Sequence, residues 1–119
     1  MTAQVHRLHL TDRGGASRVV AVTAPTTVGR VGADVVLDDA AVSRVHCRFT
    51  PTDTGLVAED LGSRNGTLVE GRRIDRPAVL RPGDVVVIGD TTIVVLAPEA
   101  EHPSTSTAPA RVERKGGVR

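Results

Sequence analysis

Apolar residues in this chain come in short runs, mostly of valine, and each run is soon cut off by glycine, proline or aspartate. A β-branched side chain is stiff and packs well on a pleated surface, so such runs favour strands. Residues 5–10 stop at Thr11-Asp12-Arg13-Gly14-Gly15 and residues 18–22 resume the extended pattern, which predicts a hairpin. Thr26-Thr27-Val28 follows Pro25, and Val35-Val36-Leu37 stops at Asp38-Asp39. Val45, Cys47 and Phe49 alternate with His46 and Arg48, the period of a strand with one buried face. Leu56-Val57-Ala58 opens after Gly55. Thr67-Leu68-Val69 turns at Glu70-Gly71 into Arg72-Arg73-Ile74. Val85-Val86-Val87-Ile88 follows Pro82-Gly83-Asp84 and turns at Gly89-Asp90 into residues 91–96. About ten or eleven short strands and no helix are expected. Strands so short must each bury a face against a second sheet, which predicts an all-β antiparallel sandwich over residues 1–97. Residues 98–119 carry little to bury and are expected to be a disordered tail.

Composition narrows the function. The 119 residues include 20 Val, 13 Ala, 8 Leu and 3 Ile, with Phe49 in place of any Tyr or Trp. A net charge of +1 argues against a general nucleic-acid binder, and the lack of aromatics argues against base stacking on a single strand. Arginine supplies 14 of the 15 basic side chains. The single cysteine, Cys47, allows no internal disulfide and no cysteine metal cluster, and alternation places it on a buried face as an inert thiol. Residues 1–7 lack the apolar core of a signal peptide, and no segment approaches the ~20 apolar residues of a membrane span. A soluble, cytoplasmic protein, monomeric and without cofactor or metal, is the expectation.

Three loop motifs sit at strand ends. Gly29-Arg30 follows the strand at 26–28, Ser43-Arg44-Val45-His46 leads into the strand holding Phe49, and the third motif is Asp60-Leu61-Gly62-Ser63-Arg64-Asn65-Gly66-Thr67. Binding loops at one end of a rigid scaffold commonly converge. A phosphorylated threonine carries about −1.5 to −2 charges and three strong acceptor oxygens. It calls for guanidinium groups, which make paired hydrogen bonds, and for a hydroxyl donor. Arg30, Ser43, Arg44 and Arg64 supply those donors, and Asn65 offers an amide suited to a peptide backbone. Taken singly, the arginines would be solvated or weakly ion-paired, and Ser43 a turn cap. His46 beside Ser43 hints at a base and a nucleophile, but the motif holds no evident third member of a hydrolase triad.

In the order and spacing of all three motifs the chain resembles the forkhead-associated (FHA) domain, a phosphothreonine-binding β-sandwich, over roughly residues 5–97. The resemblance implies phosphate contacts from Arg30 and Ser43. It puts Arg64 and Arg44 at positions that contact ligand, and makes Asn65 the residue that bonds the peptide main chain. Gly29, His46 and Gly66 would support the site. The implied partners are phosphothreonine-containing proteins of Ser/Thr-kinase signalling, a kinase or its substrate among them. The chain departs from the family at Glu70-Gly71, where Asn-Gly is usual, and at Ala40-Ala41, which offers no charge to select neighbouring residues. Glu70 would repel an acidic ligand. These two features motivate an alternative: a constitutive interaction module that needs no phosphate. Ser104-Thr105-Ser106-Thr107 raises a last possibility, phosphorylation of Thr105 or Thr107 followed by self-association. In the resembling fold the termini lie opposite the binding loops, so a head-to-tail contact between molecules is expected over an internal clasp.

Overall fold

Alternation of branched aliphatics with polar residues builds two sheets around one apolar layer. The structure, a computed structural model, describes residues 4–97 with Glu99 and Ala100. The strands are β1 (Gln4–Thr11), β2 (Ser17–Val22), β3 (Thr26–Gly29), β4 (Val35–Val36), β5 (Cys47–Thr52), β6 (Gly55–Asp60), β7 (Thr67–Val69), β8 (Arg72–Arg73), β9 (Ala78–Leu80), β10 (Val85–Ile88), β11 (Thr91–Val95) and β12 (Glu99–Ala100). One sheet pairs β1 with β2, β11 and β12, then runs from β11 through β10 and β7 to β8. The other has the order β4-β3-β5-β6-β9. No described residue is helical.

Period-two burial explains the packing. Leu8 and Leu10 of β1, Val86 and Ile88 of β10, and Ile93 and Val95 of β11 face Val28, Phe49, Leu56, Ala58 and Leu80 of the other sheet in one continuous core. Phe49 is fully buried beside its cross-strand partner Ala58, a large side chain next to a small one. The hairpin expected from residues 5–22 forms, with register from His6 opposite Val22 to Thr11 opposite Ser17.

The structure differs from the sequence reading in four places. β3 and β4 run parallel, with Val28 opposite Val35, so the sandwich is not wholly antiparallel. β9, three residues between Pro77 and Pro82, is an additional strand. β12 pairs Glu99 and Ala100 with Val5 and Gln4, so the sheet runs past residue 97, where the domain was expected to end. The expected tail from 101 onward lies outside the described residues. Finally, Val45 does not share the face of Cys47 and Phe49: the ladder begins at Cys47, Val45 is 37% exposed, and His46 is the buried residue. The chain still turns at 43–46, where Ser43 N donates back to the His46 ring, so strand alternation has not begun.

β1 runs from Gln4 toward Thr11, whose partner Thr92 follows Thr91, the residue held by Asp39. The loops β3–β4, β4–β5 and β6–β7 therefore gather at the Thr11 end, and the Gln4–Ala100 pair lies at the other.

Candidate functional site

The β3–β4 and β4–β5 loops are zipped together by backbone bonds. Arg30 N donates to Ser43 O at 3.0 Å, Val31 N to Arg44 O at 3.0 Å, and His46 N to Val28 O at 2.9 Å. So close an approach requires glycine at 29: a Cβ there would stand 2.0 Å from Arg44 O and 2.8 Å from Val45 Cα. Asp34 fixes the far side of the β3–β4 loop, its carboxylate accepting from Thr27 N and Thr27 Oγ1.

His46 binds the β4–β5 loop to the β6–β7 loop. Its Nδ1 accepts from Ser43 N at 3.0 Å, so that nitrogen carries no proton and Nε2 donates to Gly66 O at 2.8 Å. The buried ring is thus a neutral bridge with both nitrogens taken by backbone groups. None remains to act as a base toward the Ser43 hydroxyl. Ser43 Oγ instead accepts from Arg64 N at 3.0 Å, which leaves its own proton to donate outward. Asn65 Nδ2 donates to Ala41 O at 2.7 Å, leaving Oδ1 free to accept and the second amide proton free to donate.

Beneath these loops lies a layer of buried polar residues that sequence reasoning missed: Asp39, Ser63, Thr67 and Thr91, beside His46. Asp60 closes the β6–β7 loop by accepting from Gly62 N, Ser63 N, Ser63 Oγ and Thr67 Oγ1, and Ser63 Oγ in turn accepts from Gly66 N. Burial pushes the Asp60 carboxyl up, but the hydrogen bonds from Ser63 and Thr67 outweigh it and hold it below its ordinary 3.8. Asp39 does the same for the β4–β5 loop. It accepts from Ala41 N, Asp90 N and Thr91 Oγ1, tying that loop to the β10–β11 turn. Burial again opposes, and the bonds from Thr91, Ala41 and Asp90 hold its carboxyl below 3.8. The one signal in the sequence was an aspartate two or three residues before glycine, alanine or serine, the pattern of an Asx turn.

The loops enclose an open depression of about 350 Å³ lined by Arg30, Ala40, Ala41, Val42, Ser43, Arg44, Arg64 and Asn65. Three arginines line it and no carboxylate does. Arg30 Nε donates to Val42 O at 3.0 Å, which leaves its two terminal nitrogens to donate elsewhere. The ion pairs among the described residues, Arg13–Asp90, Arg48–Glu59 and Arg76–Asp75, use other arginines. Of the residues singled out from the sequence, Arg30, Ser43, Arg44, Arg64 and Asn65 meet around the depression, and Gly29, His46 and Gly66 lie beneath or behind it. Glu70 does not line it. Glu70 stands at φ 50° beside Gly71 at 81°, a pair of positive angles suited to a tight hairpin turn, and its carboxylate accepts from Val85 N at 2.6 Å.

Among the described residues no group of three or more His, Cys, Asp and Glu side chains could hold a metal ion. No helix among them is long and apolar enough to cross a membrane. Cys47, on β5 below the site, is buried, and burial with help from the Asp60 carboxylate pushes its thiol up to about 12.

Comparison with known proteins places the chain. The family model described as FHA domain matches residues 26–89. The glycogen accumulation regulator GarA of Mycobacterium tuberculosis is 41% identical over 81 residues, which are 67% of this chain and 49% of that protein. The chain spans about half, or less, of the length of the curated relatives it matches. The FHA domain of the CT664 protein from Chlamydia trachomatis superposes with a TM-score of 0.71 at 30% identity, covering 77% of this chain and 96% of that one. A chain from a structural and functional analysis of phosphothreonine-dependent FHA domain interactions superposes with a TM-score of 0.67 at 29% identity, covering 84% and 99%. The matched residues, 26–89, begin at the strand that ends in Gly29 and run through all three converging loops. This chain belongs to the FHA domain family.

Proposed function

We propose that the depression binds a phosphothreonine-containing segment of a partner protein, and that the chain acts as a non-enzymatic adaptor in Ser/Thr-kinase signalling. The observation that carries this reading is the donor set. Arg30, whose terminal nitrogens remain to donate, and Ser43, whose hydroxyl proton remains to donate, line a site with no carboxylate on its wall. Arg44 and Arg64 add charge, and Asn65 keeps an acceptor and a donor for the peptide main chain. A dianion with three acceptor oxygens is the ligand that satisfies such a set. Family membership supports the same chemistry, and a related FHA chain belongs to a study of phosphothreonine-dependent interactions.

The alternative, a module that needs no phosphate, drew on Glu70 and on Ala40-Ala41. Glu70 spends its carboxylate on Val85 N and does not line the depression, so it gives no reason to disfavour an anion. Calorimetric titration with a degenerate phosphothreonine peptide library, beside the same library unphosphorylated, separates the two readings. Binding only of the phosphorylated library supports the first. Equal binding of both libraries would falsify it in favour of the second.

A further inference from the structure

Arg73 was not among the residues singled out from the sequence, and the depression does not account for it. It is exposed, on β8 opposite Leu68, and its side chain reaches back across Gly66: a Cβ on Gly66 would stand 2.6 Å from Arg73 Nε and 3.0 Å from its Cζ. Gly66 itself is buried under it. None of the hydrogen bonds or ion pairs among the described residues uses the Arg73 guanidinium. Asp75, the nearest acidic residue along the chain, pairs with Arg76, and Glu70 is turned away onto Val85 N. The result is a cation with no carboxylate partner, held over Gly66, the residue that follows Asn65 of a site already lined by Arg30, Arg44 and Arg64.

We propose that Arg73 is a specificity-determining residue that selects a second anionic group on the bound peptide. This rests on the phosphopeptide reading above. The distance follows from the chain. Arg64 N lies 3.0 Å from Ser43 Oγ, and the two residues from Arg64 to Gly66 span at most ~7 Å. The Arg73 guanidinium therefore lies within roughly 16 Å of the Ser43 hydroxyl, a distance that an extended peptide covers in at most about five residues at ~3.3 Å each. The preferred ligand is a phosphothreonine with an acidic side chain, or a second phosphate, at that separation. Arginine suits either anion because its planar fork pairs with carboxylate and phosphate alike.

The test is calorimetric titration of the intact protein with singly phosphorylated peptides in which Ala, Glu, Lys or a second phosphothreonine is placed one to five residues to either side. Wild type should bind the Glu peptide about fivefold more tightly than the Ala peptide at one separation within five residues on one side. The second phosphate should be favoured more strongly than Glu, which tells the two anion sources apart. Arg73→Ala should remove the preference while leaving the Ala peptide's affinity and the melting temperature unchanged. Arg73→Glu should reverse it toward Lys. A preference for acid that survives Arg73→Glu, or no preference in wild type, overturns the role of Arg73 and leaves the phosphopeptide reading standing. Failure of every phosphopeptide to bind overturns both.

Discussion

At Gly29 a single methyl group would collide with the backbone of Arg44 at 2.0 Å, and backbone cannot swing aside as a side-chain tip can. Gly29→Ala should therefore part the β3–β4 and β4–β5 loops and break the bonds from Arg30 N to Ser43 O and from Val31 N to Arg44 O. The expected cost is about 2 kcal/mol or more in urea denaturation, accompanied by loss of phosphopeptide binding. A variant of unchanged stability would contradict the close approach. Residue identity alone revealed which side chains meet around the depression, because arginine, serine and asparagine at loop ends carry their chemistry openly. It did not reveal which ones hold the loops. Asp39 and Asp60 look like ordinary turn residues, and nothing in the string shows that their oxygens accept from Thr91, sequence-distant from Asp39, or from Thr67 in the next strand. The burial of His46 was hidden for the same reason: period-two alternation points it outward, and only the turn back to Ser43 N brings it in.

Each binding loop leans on one carboxylate, and this sets how the elements respond to pH. Asp39 and Asp60 are held below 3.8, so the folded chain takes up their protons less readily than the unfolded chain does. Their contribution is full above that value and is lost as pH falls through their lower native values. Stability to urea should accordingly drop steeply between about pH 4 and pH 2, and Asp60→Asn should flatten that limb while lowering stability at pH 7 by about 1–3 kcal/mol. An unchanged acid limb in the variant would contradict the Asp60 network. β5 offers a second readout. With its thiol buried and pushed up to about 12, Cys47 should resist iodoacetamide at pH 8 in the native protein and react at once in denaturant. Rapid labelling of the native chain would mean that β5 opens readily. Strands with valine runs were legible. β9 was not, because three residues between two prolines carry too little pattern, and the parallel pairing of β3 with β4 depends on a loop path that periodicity does not encode.

Across the whole molecule the sandwich separates the binding loops from the Gln4–Ala100 end. Thr105 lies five residues beyond Ala100, a reach of at most ~18 Å, whereas β1 alone extends ~20 Å from Val5 to Thr11. A phosphate on Thr105 would thus meet a neighbour's depression before its own. Chain phosphorylated there should associate with rising concentration in sedimentation velocity, and Arg30→Ala should abolish that association; a phosphorylated chain that stays monomeric contradicts it. Near-neutral net charge, which at first only argued against nucleic acid, coexists with a local cluster of arginines that no carboxylate of the site offsets. That cluster exists because the fold brings three sequence-distant loops together. Its meaning is tested most directly by titrating wild type and Arg30→Ala side by side with one phosphothreonine peptide and its unphosphorylated twin. The account predicts binding of the phosphorylated peptide alone, weakened by about 2–4 kcal/mol in Arg30→Ala. Equal affinity for both peptides, or no effect of Arg30→Ala, would contradict it.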